Sequence, residues 1–153
     1  MSIEGKLKSL GIELPTPAKP VANYVPWVKS GNLVFLSGQL PFVNGKLNHT
    51  GHVGAEITVD MAGAEARQCA INLITQMRDA CDGDLDRVKR IVKITGFVAC
   101  SPQFADHASV MNGASNFFVE VFGEIGRHAR SSVGMTSLPM GAAVEIEAVV
   151  EVA

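Results

Sequence analysis

Residues 88–100, VKRIVKITGFVAC, constrain the fold of this chain more than any other stretch. Ile91, Val92, Ile94, Phe97 and Val98 make the run too β-branched and too apolar for an exposed edge, so it predicts a central strand. The segments on either side follow a different period. Over residues 58–81, Ala62, Ala66, Cys69, Ala70, Leu73, Ile74, Met77 and Cys81 recur at three- and four-residue intervals, which predicts the longest helix, stopped by Gly83. Downstream, Ser101-Pro102 offers an N-cap and a favoured first helical residue. Phe104, Ala108, Met111, Ser115, Phe118 and Phe122 then mark one face of a second helix that ends at Gly123.

The remaining strands lie towards the two ends of the chain. Residues 3–10 carry a short amphipathic pattern worth one or two helical turns, and Pro15, Pro17 and Pro20 then impose an extended lead-in. Residues 23–29 and 33–37 are β-compatible and separated by Ser30-Gly31-Asn32, which predicts a hairpin, and Asn44-Gly45 suits a tight turn with positive φ at both central positions. Residues 46–57 read as a polar loop. Residues 127–151 read as two strands joined at Leu138-Pro139. The first alternates His128, Arg130, Ser132, Gly134 and Thr136 against Ala129, Ser131, Val133 and Met135. The second sets Val144, Ile146, Ala148, Val150 and Val152 against Glu145, Glu147 and Glu151. A guanidinium and two carboxylates could thus face one polar space, suited to a carboxylate ligand and a water. From these residues alone, an edge strand with solvated charges accounts for the pattern better.

The order strand, strand, helix, strand, helix, strand, strand predicts an α+β fold, a single mixed sheet with two helices on one face and right-handed crossovers. The opposite face then needs a cover. In a chain of 153 residues the simplest one is another copy of itself, so an oligomer is expected.

Composition narrows the function classes. A hydrophobic content of 47% and a length of 153 residues fit one domain over residues 1–153, with residues 1–20 as an N-terminal extension and lead-in. With 13 basic against 15 acidic residues, no global field would attract a polyanion, and no nucleic-acid partner is expected. Cys69, Cys81 and Cys100 lack C-x-x-C spacing and read as buried small hydrophobes in a reducing compartment, with no disulfide framework or zinc site. The first residues, MSIEGKLKSLGIELP, lack the pattern of a secretory signal, and no run approaches membrane-spanning length; the expected location is the cytoplasm, without membrane contact.

Several pieces, in order, resemble the RidA (YjgF) family of reactive-intermediate deaminases, also labelled L-PSP endoribonucleases. They are Tyr24-Val25, GNLVFLSGQLP over residues 31–41, the long helix, Ala129-Arg130-Ser131-Ser132-Val133, Leu138-Pro139 and Glu145-Ile146-Glu147-Ala148. The resemblance implies a fold like bacterial chorismate mutase and a homotrimer with ligand clefts between subunits. It implies hydrolysis of 2-imino acids, or their enamine tautomers, to 2-oxo acids and ammonia, with no cofactor or metal. Carried over by position, Arg130 matches the arginine that holds the substrate carboxylate and Glu145 the glutamate near the attacking water. Tyr24 and Ser37 match pocket-lining positions, and Ser132 stands where many members have cysteine, at a contact made through the backbone carbonyl. Where the family often places a pocket asparagine, the simplest alignment puts Met111, with Asn112 beside it.

Other polar residues have plainer explanations. His128 shares a face with Arg130, but a single histidine is more often hydrogen-bonded or exposed than catalytic. Arg130 with Glu145 also reads as a structural ion pair at a subunit interface. His49 and His52 lie in a glycine-containing loop with no third metal ligand, and Glu147 suits a polar interface. Trp27 and Phe42 are expected in the cleft wall or between subunits. A non-catalytic trimer that binds a small carboxylate through Arg130 is the main alternative. Ribonuclease activity ranks below it, because no basic cluster or aromatic row accompanies Arg130.

Overall fold

The structure, a computed structural model, describes residues 1–17, 19 and 22–153. Helix α1 (Ile3–Ser9) is capped by Ser2, whose side chain accepts from the Gly5 amide, and it buries Leu7. The described part of the lead-in, including Pro15 and Pro17, holds no helix or strand, and Pro20 lies outside the described residues. Strands β1 (Trp27–Ser30) and β2 (Leu33–Gln39) form the expected hairpin, although β1 starts later than residue 23. At Asn44-Gly45 both φ angles are positive, 51° and 76°, and Val43 and Lys46 exchange backbone hydrogen bonds across the turn.

Helix α2 (Val59–Ala80) lies within one residue of its expected bounds. Thr58 caps its start by accepting the Met61 amide at 3.1 Å, and Gly83, at φ 92°, closes its end by donating to the Arg78 carbonyl. Strand β3 (Val88–Ala99) follows, then α3 (His107–Phe122), β4 (Ala129–Met135) and β5 (Val144–Val152). The start of α3 differs from expectation. Asp106, not Ser101, is its N-cap, because the Ser101 amide is spent on the Val53 carbonyl and its own carbonyl closes a turn with Phe104. The buried face of α3 is accordingly Val110, Met111, Ala114, Phe117, Phe118, Val121 and Phe122; Ala108 is exposed.

The five strands lie in the order β1-β2-β5-β3-β4, with only β3 and β4 parallel. Thus β3 sits between the two C-terminal strands, and β4 is an edge. Helices α2 and α3 pack on one face, where Leu73, Ile74, Met77, Met111 and Phe118 meet Leu36, Ile91, Ile94, Ile146 and Val150. Each such side chain contributes about 1.5–3 kcal/mol by leaving water. The helices cross closely at two glycines, and a Cβ on Gly113 would run into the Gly63 carbonyl oxygen. Among the described residues, no helix covers the other sheet face. It exposes Val28, Phe35, Val133 and Met135, with Val133, Phe97 and Glu145 in one cross-strand row and Ser131, Thr95 and Glu147 in the next.

Candidate functional site

Arg130 lies at the beginning of β4, in register with Ile94, which pairs in turn with Ala148. Ile94 and Ala148 are core residues beneath the helices, so Arg130 points to the helix side of the sheet. Glu145 belongs to the row of Phe97 and Val133 and points to the open side. The two residues do not face a common space within one chain, contrary to the sequence reading. Alternation along each strand was read correctly, but insertion of β3 between β4 and β5 decides which parity faces which side.

Around Arg130 the side chains form an ordered relay. Its Nη1 donates to Asn112 Oδ1 at 2.9 Å and to Ser115 Oγ at 3.1 Å, both on α3. Ser115 Oγ lies 2.9 Å from His128 Nε2, and His128 Nδ1 lies 2.6 Å from the Gly126 carbonyl oxygen. A carbonyl only accepts, so Nδ1 carries the proton and Nε2 accepts from the Ser115 hydroxyl. Burial pushes the His128 pKa down, and the nearby Arg130 charge adds to this, outweighing the favourable Gly126 carbonyl. Both anchoring bonds of Arg130 leave from Nη1, which leaves the Nε–Nη2 edge to meet a planar anion. An open cavity of about 530 Å³ borders it, lined also by Ser115, Asn116, Val119 and Arg127.

Asn112, beside Met111 in sequence, thus sets its side-chain amide against Arg130. Met111 is fully buried and packs on Gly96, where any Cβ would collide with its sulfur. The helix turns Asn112 outwards to Arg130 instead. Ser132, two residues along, also points to the helix side, and its hydroxyl is buried without a hydrogen-bond partner. Its side chain lines neither cavity, so any ligand contact there falls to the backbone of the edge strand.

Tyr24, Ser37 and Glu145 meet elsewhere, in a more enclosed cavity of about 450 Å³ lined also by Gly38, Phe42, Pro139 and Met140. The Ser37 hydroxyl donates to the Val25 carbonyl at 2.8 Å, which ties the Tyr24 segment to β2. Tyr24 is 57% exposed at the rim. Glu145 presses on the backbone of Gly38, where a Cβ would strike its Oε1. Burial raises the pKa of this carboxyl, and the negative charge of Glu147 raises it further. Such a group exchanges protons nearer neutrality than a free glutamate does.

Apart from Phe42, the other candidates fall outside both cavities. Trp27 donates from Nε1 to Asp79 Oδ2 at 2.8 Å and so fastens β1 to the end of α2, whereas Phe42 lines the Glu145 cavity. His49 bonds to the buried Glu65 at 2.9 Å, His52 bonds to the Thr136 carbonyl at 2.7 Å, and the described residues contain no cluster of three metal-binding side chains. Cys69 and Cys81 are buried, with burial pushing both thiols up, but Cys100 is partly exposed, against expectation.

The family described as "YjgF/chorismate_mutase-like, putative endoribonuclease" matches residues 4–151. The chain belongs to the YjgF/RidA family. Its fold is therefore the chorismate-mutase-like one, an α+β sheet under two helices. Among YjgF/RidA relatives, Protein TCP17 of Trypanosoma cruzi is 49% identical over 150 residues, covering 97% of this chain and 93% of the relative. A 2-iminobutanoate/2-iminopropanoate deaminase of Dermatophagoides farinae is 29% identical over 139 residues, 91% of this chain and 93% of that one. A solved structure from Agrobacterium tumefaciens, Atu1372, described as of unknown function, superposes with a TM-score of 0.93 at 50% identity, covering 99% of this chain and 92% of the other. The family contains named deaminases, and among the described residues no helix is long and apolar enough to cross a membrane.

Proposed function

We propose that this protein hydrolyses 2-imino acids, or their enamine tautomers, to 2-oxo acids and ammonia in clefts between the subunits of a homotrimer. The observation that carries this reading is the division of the candidate groups between the two sheet faces. Arg130 has its ordered cradle on the helix side, and Glu145, Tyr24 and Ser37 have theirs on the open side. One subunit alone cannot bring the guanidinium and the carboxyl to one substrate, whereas two neighbours can. The apolar residues exposed on the uncovered sheet face support such packing, and the deaminase among the relatives supports the chemistry.

In this mechanism Arg130 forks onto the substrate carboxylate and fixes the imine carbon over the neighbour's cavity. A water attacks that carbon while Glu145 takes its proton and passes it to the imine nitrogen, giving a carbinolamine. Glu145 then takes the hydroxyl proton of the carbinolamine and hands it to the amine, the carbon–nitrogen bond breaks, and ammonia leaves a 2-oxo acid. The raised pKa of Glu145 suits this two-way exchange. No cofactor or metal enters the proposal, and the implied partners are a small carboxylate and two more copies of the chain.

Three variants test it, with imine hydrolysis, 2-oxo acid affinity and oligomeric state measured on each. Arg130→Lys keeps the charge and loses the fork, which costs about 1.5–3 kcal/mol per charge-assisted bond. The expected fall in hydrolysis is roughly ten- to a hundredfold or more. Arg130→Ala nearly abolishes it. Glu145→Gln keeps 2-oxo acid affinity and slows turnover. Wild-type protein that binds 2-oxo acids without hydrolysing imines would instead establish a carboxylate-binding trimer. An intact Arg130→Ala oligomer with full activity would falsify the assignment.

A further inference from the structure

A third cavity, of about 610 Å³, shares no residue with the Arg130 or Glu145 cavities. It lies where β3 has just ended, and it brings together Cys100, His107, His52 and Glu56 with the apolar walls of Ala55, Pro102, Phe104 and Met135. Cys100 Sγ is 3.6 Å from His107 Nε2, within hydrogen-bond range for a thiol, and the imidazole is held edge-on to Phe104 with ring centres 5.3 Å apart. The space in front of the pair is kept clear by Gly134. A Cβ there would lie 2.7 Å from His107 Nε2 and 2.9 Å from Cys100 Sγ. The other two cysteines have no such setting, since both are fully buried.

We propose that Cys100 and His107 form a nucleophilic thiol site that adds to electrophilic alkenes conjugated to a carbonyl, carried on an apolar body. The volume suits a small-molecule ligand and the apolar walls suit its body. Addition is favoured over acyl transfer by the surrounding backbone. The Ser101 amide is committed to the Val53 carbonyl and Pro102 has no N–H, so the residues after the thiol offer no amide pair to an oxyanion. In the step, the thiol proton moves to His107 Nε2 and the sulfur bonds the β-carbon of the alkene. The π pair shifts to the α-carbon, which takes the proton back from His107. The product is a saturated carbonyl thioether, with no leaving group and no net redox change.

The test uses the intact wild-type protein under native conditions, with N-ethylmaleimide and the apolar enone 4-phenyl-3-buten-2-one as probes, and acrylamide as a polar comparison. Each rate is normalised to glutathione at the same pH, and the labelled residue is located by peptide mass. The expected result is one equivalent incorporated at Cys100, ahead of Cys69 and Cys81, with the apolar enone favoured over acrylamide by roughly tenfold or more. His107→Gln, checked for native melting, slows labelling by about tenfold or more, and Cys100→Ser removes it. Labelling of Cys100 no faster than glutathione, or no preference for the apolar enone, overturns the proposal. So does an unchanged rate in a folded His107→Gln protein. Because no residue is shared with the Arg130 or Glu145 cavities, failure of the deaminase reading leaves this result unaffected.

Discussion

Arg130 shows how a single side chain depends on its neighbours being in one protonation state. Its Nη1 leans on the Ser115 hydroxyl, whose proton is directed to His128 Nε2. Protonating His128 turns Nε2 into a donor, forces that hydroxyl to rotate, and sets a second cation beside Arg130. The groups facing the imidazole are Ser115 and the Phe118 ring from α3, the Gly126 carbonyl, and Arg130 from β4; adjoining Arg127 is paired with Glu124 at 3.2 Å. Because the folded pKa of His128 is lowered from 6.5, the neutral imidazole contributes stability that is present in full above that value. The contribution is lost as pH falls through the lowered folded value. We expect the His128 ring protons, followed by NMR, to titrate below the ordinary histidine range, and denaturant stability to decline over the same interval. A ring titrating at or above the ordinary value would contradict the relay. None of this was legible from residues 127–151, because Asn112 and Ser115 come from a helix whose placement over the start of β4 is a tertiary fact. The parity of His128 and Arg130 was the available signal, and it was correct.

At the scale of elements, what was legible followed local chemistry. Helix α2 was readable almost to its last residue because Thr58, the apolar period and Gly83 all agree. The Asn44-Gly45 turn was readable for the same reason. The start of α3 was misplaced because Ser101 has the right chemistry for a cap but spends its backbone on Val53, a contact that only the folded chain makes. The facing of Arg130 and Glu145 was lost at the same level, since strand order lies outside any local pattern. Close approach of α2 and α3 at Gly63 and Gly113 gives a prediction here. Gly113→Ala should raise helix propensity by about 1 kcal/mol in isolation, yet the new Cβ meets the Gly63 carbonyl oxygen. Separating the helices should outweigh that gain and destabilise the fold by about 1–3 kcal/mol. A urea midpoint equal to or above that of the wild type would show that the crossing relaxes freely.

For the whole molecule, the uncovered sheet face decides behaviour in solution. Phe35 is 47% exposed and Val28 is 53% exposed, beside Val133 and Met135. In the proposed trimer Phe35, Val28 and Val133 leave water, so melting temperature should rise with protein concentration by mass action. Calorimetry over a hundredfold dilution checks this, and a stable, monodisperse monomer by light scattering would sink the trimer together with the shared cleft.

The placement of Arg130 and Glu145 on opposite faces also has a genetic consequence. If each cleft borrows Arg130 from one chain and Glu145 from the next, two defective alleles can rescue each other. Arg130→Ala and Glu145→Gln subunits, co-expressed in equal amounts and assembled at random, would rebuild about one cleft in four with both groups intact. Neither variant alone contains such a cleft. Recovered hydrolysis in the mixed population, absent from both parents, is the expected phenotype.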